Sequence, residues 1–314
     1  MIKSNRIAIL SLQVIFSSIY IASSYIYSLN ILFKPDTLVY YNDYLNINSN
    51  SLPYGIEFVI PLIMLASNKI GMDFNGFIFI LLLFWTPVVF FLTKEVSKSL
   101  LYIFPIIFFM LPQFQEMVTF LIRSYFGLLM FFYFTLVNSR VKYIFFIFSI
   151  FSQITSILFF FLCNSKFHRI LFKRSIISVS ILIACFLWGE GQHSLGYLSD
   201  FNFDFLPSYL NEALYRKLGF QMRSQDSVIY IGDLRKYILL VFGLLLITKV
   251  KACDKIIKND NGLDALVFLN VILALLFMNN TVLSSRLGLI AYYFYIPLSF
   301  HYLSCTFRCC KIKF

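Results

Sequence analysis

Long apolar runs separated by short polar segments restrict what this chain can fold into. A helix needs about 20 residues, at 1.5 Å each, to cross the hydrocarbon core of a bilayer. The first run, Ile7–Leu29, meets this length by itself. Nine further candidate runs are Tyr54–Ala66, Phe77–Leu92, Leu100–Leu111, Thr119–Val137, Tyr143–Leu162, Ile176–Trp188, Ile238–Thr248, Ala265–Met278 and Leu287–Leu303. Several are short for a full crossing, so their number is an upper limit on the membrane spans.

The composition supports a membrane protein. Of the 314 residues, 60% are hydrophobic and only 13% are charged, whereas a soluble globular chain has about 25% charged residues. This excludes a disordered chain, a collagen, a coiled coil and an ordinary soluble enzyme. We expect an all-α fold, a polytopic integral membrane helical bundle with about 8–10 transmembrane helices and one or two re-entrant segments. A single membrane domain over residues 1–314 is predicted.

The basic residues set the expected orientation. Lys and Arg total 26 against 15 Asp and Glu, a formal charge of +11, and most lie in short segments between apolar runs. Such residues favour the cytoplasmic side of a membrane, so we expect no nucleic-acid partner. Lys3 and Arg6 place the N-terminus in the cytoplasm. The two larger polar loops, about 30–53 and 189–236, then lie outside, and the second is the large periplasmic loop.

Two topologies remain open for the middle of the chain. If all ten runs cross, four basic residues between positions 94 and 142 lie outside, against the positive-inside rule. If Tyr54–Ala66 enters and returns, and Tyr143–Leu162 also fails to cross, all four move inside and only Lys69 is misplaced. We favour the second topology. It places Arg123 at the outer end of its helix.

Arginines within or beside apolar runs are candidates for function, because a charge at membrane depth is costly. Arg123 lies in the otherwise apolar segment Met117–Val137, and Gly127, one turn later, leaves room for a ligand or another helix. It either extends to an interface or binds an anion through its planar guanidinium, which suits a pyrophosphate. Arg286 has the same two interpretations.

Carboxylates and tyrosines accompany the first outer loop. Asp36 is either an ordinary loop residue after Pro35 or a base at the membrane surface that takes a proton from a sugar hydroxyl. Glu57 either complements a helix dipole or is a second candidate base. Nearby tyrosines, Tyr40 and Tyr44 among them, form either an interfacial belt or a platform for sugar rings.

The sequence motifs of several classes of enzyme are absent from this chain. The chain has no Walker A, HExxH or GxSxG sequence, and none of its 3 histidines lies in the middle of a candidate span. The cysteines have no zinc-like spacing. We therefore expect no metal and no cofactor.

Four motifs together give a resemblance to a known family. They are Asp36 followed by Tyr40, Gly55-Ile56-Glu57-Phe58, Leu121-Ile122-Arg123, and Ser285-Arg286-Leu287 with aromatic residues after it. In this order the chain resembles the EpsG-like branch of the Wzy-type O-antigen and exopolysaccharide repeat-unit polymerases. It departs from the family pattern at Ser124, where Gln is common, and at Gln153, where a His is often found. Glutamine can hydrogen-bond a sugar or a phosphate but cannot act as a base.

The resemblance implies a membrane glycosyltransferase of the bacterial inner membrane with a periplasmic active face, acting in lipopolysaccharide or other polysaccharide biosynthesis. It would transfer a growing glycan from undecaprenyl pyrophosphate to an incoming lipid-linked oligosaccharide. A separate chain-length regulator is a further expected partner. The implied roles are catalysis for Asp36 and Glu57, pyrophosphate binding for Arg123 and Arg286, and glycan binding for Tyr40, Tyr44 and Gln153.

Three other functions remain open on the sequence. A lipid-linked oligosaccharide flippase or other transporter would also use arginines along its path, although no internal repeat is found. An O-antigen ligase shares a large outer loop and intramembrane arginines. A purely structural membrane subunit would leave the charges of the outer face without a role.

Overall fold

The computed structural model describes residues 2–48, 52–96, 103–137, 139–157, 175–190, 233–253 and 261–278, with single positions at 284, 288, 291, 295 and 299. The chain divides into two compact units, Met1–Phe161 and Leu162–Phe314. Each unit is described by itself. The expectation of a single domain over residues 1–314 stays a prediction.

Helices make up both units. In the first unit they are α1 (Ile2–Leu29), α2 (Pro35–Asn46), α3 (Val59–Lys69), α4 (Phe74–Leu83), α5 (Thr86–Val96), α6 (Ile103–Met110), α7 (Pro112–Phe120), α8 (Ile122–Leu136) and α9 (Lys142–Ser152), followed by a 3-10 turn at Ile154–Ser156. In the second they are α10 (Ser175–Glu190), α11 (Asp233–Cys253) and α12 (Asn261–Leu276), which pack on one another. No β-strand occurs among the described residues, which confirms the all-α prediction for that part of the chain.

Two helical stretches in the described part are long and apolar enough to cross a membrane, Ile7–Leu29 and Phe74–Lys94. Pro112–Phe120 and Ile122–Phe134 form a third if they count as one span, although they meet at a bend of 115°. Helices α3 and α9 have 11 residues each, about 16 Å of helix, and are too short to cross alone. The remaining spans of the expected bundle stay a prediction.

Helix α1 carries its polar side chains inward and its apolar side chains outward. Its exposed large residues include Ile15, Ile19 and Ile26, with 51%, 47% and 62% of their surface accessible. The buried polar side chains recur every three or four residues and are Gln13, Ser17, Tyr20, Ser24 and Ser28. A helix in water has the opposite pattern, so this arrangement fits a helix whose outer face contacts lipid.

A short break between α4 and α5 is closed by tyrosines from other helices. Pro87, in the first turn of α5, has no N–H group, so the helical hydrogen bonds cannot continue unbroken. The Tyr20 hydroxyl donates to the Leu82 carbonyl at 3.0 Å, and the Tyr133 hydroxyl donates to the Phe84 carbonyl. Carbonyls on both sides of the break are therefore paired inside the protein, as an apolar environment requires.

Trp85 lies at this break and forms the centre of the first unit's core. It is fully buried, and its ring packs at 5.0–5.5 Å between centroids against the rings of Phe109, Phe114, Tyr125 and Phe132. Aromatic rings from α6, α7 and α8 thus converge on one residue between α4 and α5. This packing holds α7 and α8 in place on the rest of the unit.

The first predicted outer loop is partly helical. Pro35 occupies the first turn of α2, where its fixed backbone angle suits a helix start. Thr37, Tyr40 and Tyr44, spaced three and four residues apart, are the buried residues of this helix. The segment 30–53 therefore includes a helix with one face packed on the unit, and its expected position as an outer loop stays a prediction. The second loop, 189–236, lies outside the described residues except at its two ends.

We predict that Tyr20→Phe lowers the stability of the protein by about 1–2 kcal/mol, because the Leu82 carbonyl loses a buried donor. Tyr25→Phe on the same helix is the matched control, since Tyr25 has 52% of its surface exposed. Thermal unfolding of the two purified variants in detergent measures the difference. Equal midpoints for both variants would contradict the structural role of the Tyr20 hydroxyl.

Candidate functional site

A sharp break between α7 and α8 positions Arg123. Leu121 separates the two helices with φ −130° and ψ 39°, outside helical values, and the axes bend by 115° there. Arg123 is therefore the second residue of α8. A cation is disfavoured at a helix N-terminus, where the dipole and the unpaired N–H groups attract negative charge. This position needs a compensating carboxylate.

Glu57 supplies that carboxylate and joins three segments of the chain. Its Oε2 forms an ion pair with Arg123 Nη1, and its Oε1 accepts a hydrogen bond from the Ile154 N–H at 3.0 Å. Only 2% of Glu57 is exposed, whereas the Arg123 side chain keeps 21% of its surface accessible. The segment before α3, the start of α8 and the 3-10 turn after α9 therefore meet at one carboxylate.

Two tyrosines enclose the guanidinium group. Arg123 Nε donates to the Tyr40 hydroxyl at 3.5 Å, and the guanidinium carbon lies 4.3 Å from the centre of the Tyr54 ring. The two tyrosine rings meet edge to face, 5.9 Å apart. A cation over an aromatic face is stabilised most where water is excluded. Arg123 is thus held by charge, by a hydrogen bond and by a ring.

Tyr54 connects this cluster to a second carboxylate. Its hydroxyl donates to Asp43 Oδ2 on α2. Burial, together with this hydrogen bond to a carboxylate, raises the pKa of Tyr54 well above its usual range. Tyr54 therefore keeps its proton at neutral pH and acts as a donor toward Asp43.

Gln153 lies next to the cluster, at the point where α9 ends. It is 7% exposed, and the following residue, Ile154, provides the N–H group that binds Glu57. Helix α8 approaches closely here, because a Cβ added to Gly127 would lie 2.8 Å from Ser156 Oγ and 3.3 Å from Gln153 Cβ. The sequence analysis proposed that Gly127 makes room for a helix or a ligand, and the neighbour is α9 with the turn after it.

The structure brings together four of the seven predicted site residues. Arg123 contacts both Tyr40 and Glu57, and Gln153 directly precedes Ile154, whose N–H binds Glu57. Glu57 is better suited to hold Arg123 than to take a proton, because both of its oxygens are bonded and it is nearly inaccessible. The geometry therefore favours a positioning role for Glu57, and its role as a base stays a prediction.

Three other predicted residues lie elsewhere. Asp36 is exposed in the first turn of α2, one turn before Tyr40. Tyr44 is 2% exposed, and its hydroxyl donates to the Met72 carbonyl at 2.6 Å while its ring stacks on Phe77 at 5.2 Å. Burial and these contacts give Tyr44 a packing role in the structure, and its predicted role as a glycan contact stays a prediction. Arg286 lies outside the described residues.

Asp43 and Tyr54 are functional candidates that the sequence analysis did not select. Tyr54 directly precedes the Gly55-Ile56-Glu57 motif, and this position was the one available signal. Nothing local in the sequence indicates that Asp43, eleven residues earlier, pairs with it. Within the described part of the chain no group of three or more His, Cys, Asp or Glu side chains is arranged to hold a metal ion.

Comparison of the chain with protein-family models, with curated proteins and with solved structures finds no match. The resemblance to repeat-unit polymerases therefore depends on its sequence motifs and stays a prediction.

We predict that Glu57→Gln lowers stability by about 2 kcal/mol, because it leaves Arg123 without its carboxylate. Adding Arg123→Met to this variant costs much less than Arg123→Met alone, which gives a coupling energy of about 1–3 kcal/mol. Glu116→Gln is the control, since Glu116 pairs with the half-exposed Lys34 and should change stability by less than about 1 kcal/mol. Additive unfolding energies in the double-mutant cycle would contradict the coupling.

We predict that Gly127→Ala destabilises the α8–α9 contact by about 1–3 kcal/mol, because the new methyl group meets Ser156 Oγ. Adding Ser156→Ala removes that oxygen and should restore most of the loss. Unfolding midpoints of the single and double variants test this. A double variant no more stable than Gly127→Ala would show that the Ser156 contact is not the cause.

Proposed function

We propose that this chain is a membrane glycosyltransferase that polymerises lipid-linked oligosaccharide repeat units at the outer face of the bacterial inner membrane. The observation that carries this proposal is Arg123 at the start of α8, held by Glu57, Tyr40 and Tyr54. Such an arginine suits an anionic leaving group on a lipid. The proposed donor is a glycan on undecaprenyl pyrophosphate, and the acceptor is the next lipid-linked unit.

Arg123 has the donors that a pyrophosphate requires. A guanidinium carries five N–H groups, and the contacts to Tyr40 and Glu57 use two of them. The side chain remains partly accessible, and the N–H groups at the start of α8 add partial positive charge nearby. When the glycosyl–pyrophosphate bond breaks, negative charge develops on the leaving group, and donors fixed in advance stabilise it.

Glu57 sets the position of Arg123 and moderates its charge. The buried pair has no net charge, so an anion binds through directed hydrogen bonds and not through a bare cation. The Ile154 N–H group holds Glu57 in place. The guanidinium cannot turn away without breaking its own contacts to α2 and to the segment before α3. This rigidity favours stabilisation of the transition state, which needs donors aimed before reaction.

The aromatic residues and the carboxylates of α2 suit the acceptor sugar. Tyr40 and Tyr54 present ring edges and faces beside the guanidinium, and Gln153 adds an amide nearby. The acceptor hydroxyl must lose a proton, and Asp36 and Asp43 are carboxylates on α2 that flank Tyr40 along one side of the helix. Neither a soluble nucleotide sugar nor a nucleotide-binding domain is needed for this reaction.

The lipid-facing pattern of α1 fits a substrate that arrives through the bilayer. The exposed apolar face of this helix belongs to the same unit as Arg123, so a polyprenyl chain in the membrane can approach the unit laterally. A ligase acting on the same class of donor and a flippase for the same lipid are the alternatives. The glycan products that accumulate in cells distinguish a ligase or a flippase from a polymerase.

We predict that Arg123→Ala abolishes polymer in host cells that lack the native copy, because the leaving group loses its main donor. Arg140→Ala is the matched control, since Arg140 is an exposed arginine in the short segment before α9 and should leave polymer unchanged. Arg123→Lys keeps the charge without the planar donors and should restore little polymer. Gel analysis of surface glycolipid, with immunoblots for protein level, gives the result. Normal polymer with Arg123→Ala would remove this residue from the site.

A further inference from the structure

Tyr54 has a backbone conformation that few tyrosines adopt. Its φ is 72°, and the following Gly55 has φ 60°, so two left-handed residues occur in succession before Glu57. For a bulky side chain this conformation is strained and persists only where surrounding contacts impose it. Strain of this kind concentrates at functional positions. The left-handed conformation of Tyr54 therefore points to a functional role in addition to reversing the direction of the chain.

The strained turn brings the Tyr54 side chain between two charged groups. Its ring packs under the Arg123 guanidinium at 4.3 Å, and its hydroxyl donates to Asp43 Oδ2. Tyr40, on the same helix as Asp43, contacts both the ring of Tyr54 and Nε of Arg123. Asp43 is thus fixed at one end of a connected set of side chains whose other end is the proposed pyrophosphate-binding arginine.

Of the carboxylates that the structure describes near Arg123, Asp43 is the one both positioned and accessible. Glu57 is buried with both oxygens bonded, whereas Asp43 is half-buried and Tyr54 engages its Oδ2. Asp36 is exposed in the first turn of α2, about 10 Å along the helix axis from Asp43. A base needs a fixed position and an oxygen within reach of the substrate.

We propose that Asp43, held by Tyr54, is the general base that takes the proton of the acceptor sugar hydroxyl; this inference rests on the proposed polymerase function. The acceptor oxygen forms a bond to the anomeric carbon of the donor glycan. The bond from that carbon to the pyrophosphate oxygen breaks, and the lipid pyrophosphate leaves with the electron pair beside Arg123. The proton moves to the Asp43 carboxylate, which later releases it to water. Tyr54 keeps its own proton throughout and acts as a positioning residue.

The test measures elongation of a lipid-linked repeat unit, extracted from the native host, by the purified full-length chain in lipid nanodiscs. Asp43→Asn should lower the maximal rate about 100-fold or more with little change in KM, because the base is lost and binding is not. Asp43→Glu should recover part of the rate. Tyr54→Phe should lower the rate about tenfold, since the carboxylate stays but loses its fixed orientation. Glu116→Gln is the carboxylate control and should match the wild type.

The pH dependence separates a base from a structural carboxylate. Among the described residues, Tyr54 contacts Asp43 and links it to Tyr40, Arg123 and Glu57. The pH profiles of the wild-type rate and of the residual Asp43→Asn rate should differ on the acid side, because only the wild type has a carboxylate at the position of the base. Unfolding midpoints of the variants exclude loss of fold as the cause.

Each alternative outcome has a distinct meaning. If Asp43→Asn retains at least a third of the rate, or if Asp36→Asn loses as much as Asp43→Asn, Asp43 is not the base. If this occurs while Arg123→Ala is inactive, the proposed polymerase function stands without the present inference. If the wild-type protein does not elongate the lipid-linked unit at all, both fall.

Discussion

The ion pair between Glu57 and Arg123 is the interaction on which the rest of the site depends. A largely buried charge is costly, and an arginine in the first turn of a helix opposes the helix dipole, so Arg123 requires a close carboxylate. The second oxygen of Glu57 binds the Ile154 N–H, which joins the turn after α9 to α8 and to the segment before α3. Once these segments are joined, Tyr40 and Tyr54 have fixed places around the guanidinium.

Hydrogen bonding inside the first unit explains how it supports such a site. Polar side chains of α1 lie inside and its apolar side chains lie outside, a pattern compatible with lipid around the helix. Tyrosine hydroxyls pair with the carbonyls at the break between α4 and α5, and Trp85 fills the space there. The sharp bend before α8 is accommodated by the same aromatic core. Irregular backbone is tolerated at these two points because protein surrounds it.

The sequence selects the two charged residues of the site, but it predicts neither their pairing nor their surroundings. Glu57 and Arg123 stand out because charges are rare in apolar runs and must find partners there. Asp43 and Tyr54 could not be selected, since their contact depends on a left-handed turn that a tyrosine rarely forms. The bend at Leu121 was also missed, because its two neighbours in sequence are apolar and neither Gly nor Pro occurs at that point. Tertiary contacts, and not local propensity, determine both features.

The most direct measurement of the central claim is deletion of the gene in its native host, followed by gel analysis of the surface glycolipid. A repeat-unit polymerase predicts loss of the ladder while a single repeat unit remains attached to the lipid core. Loss of every repeat, including the single one, would contradict the account and would favour a flippase or a ligase.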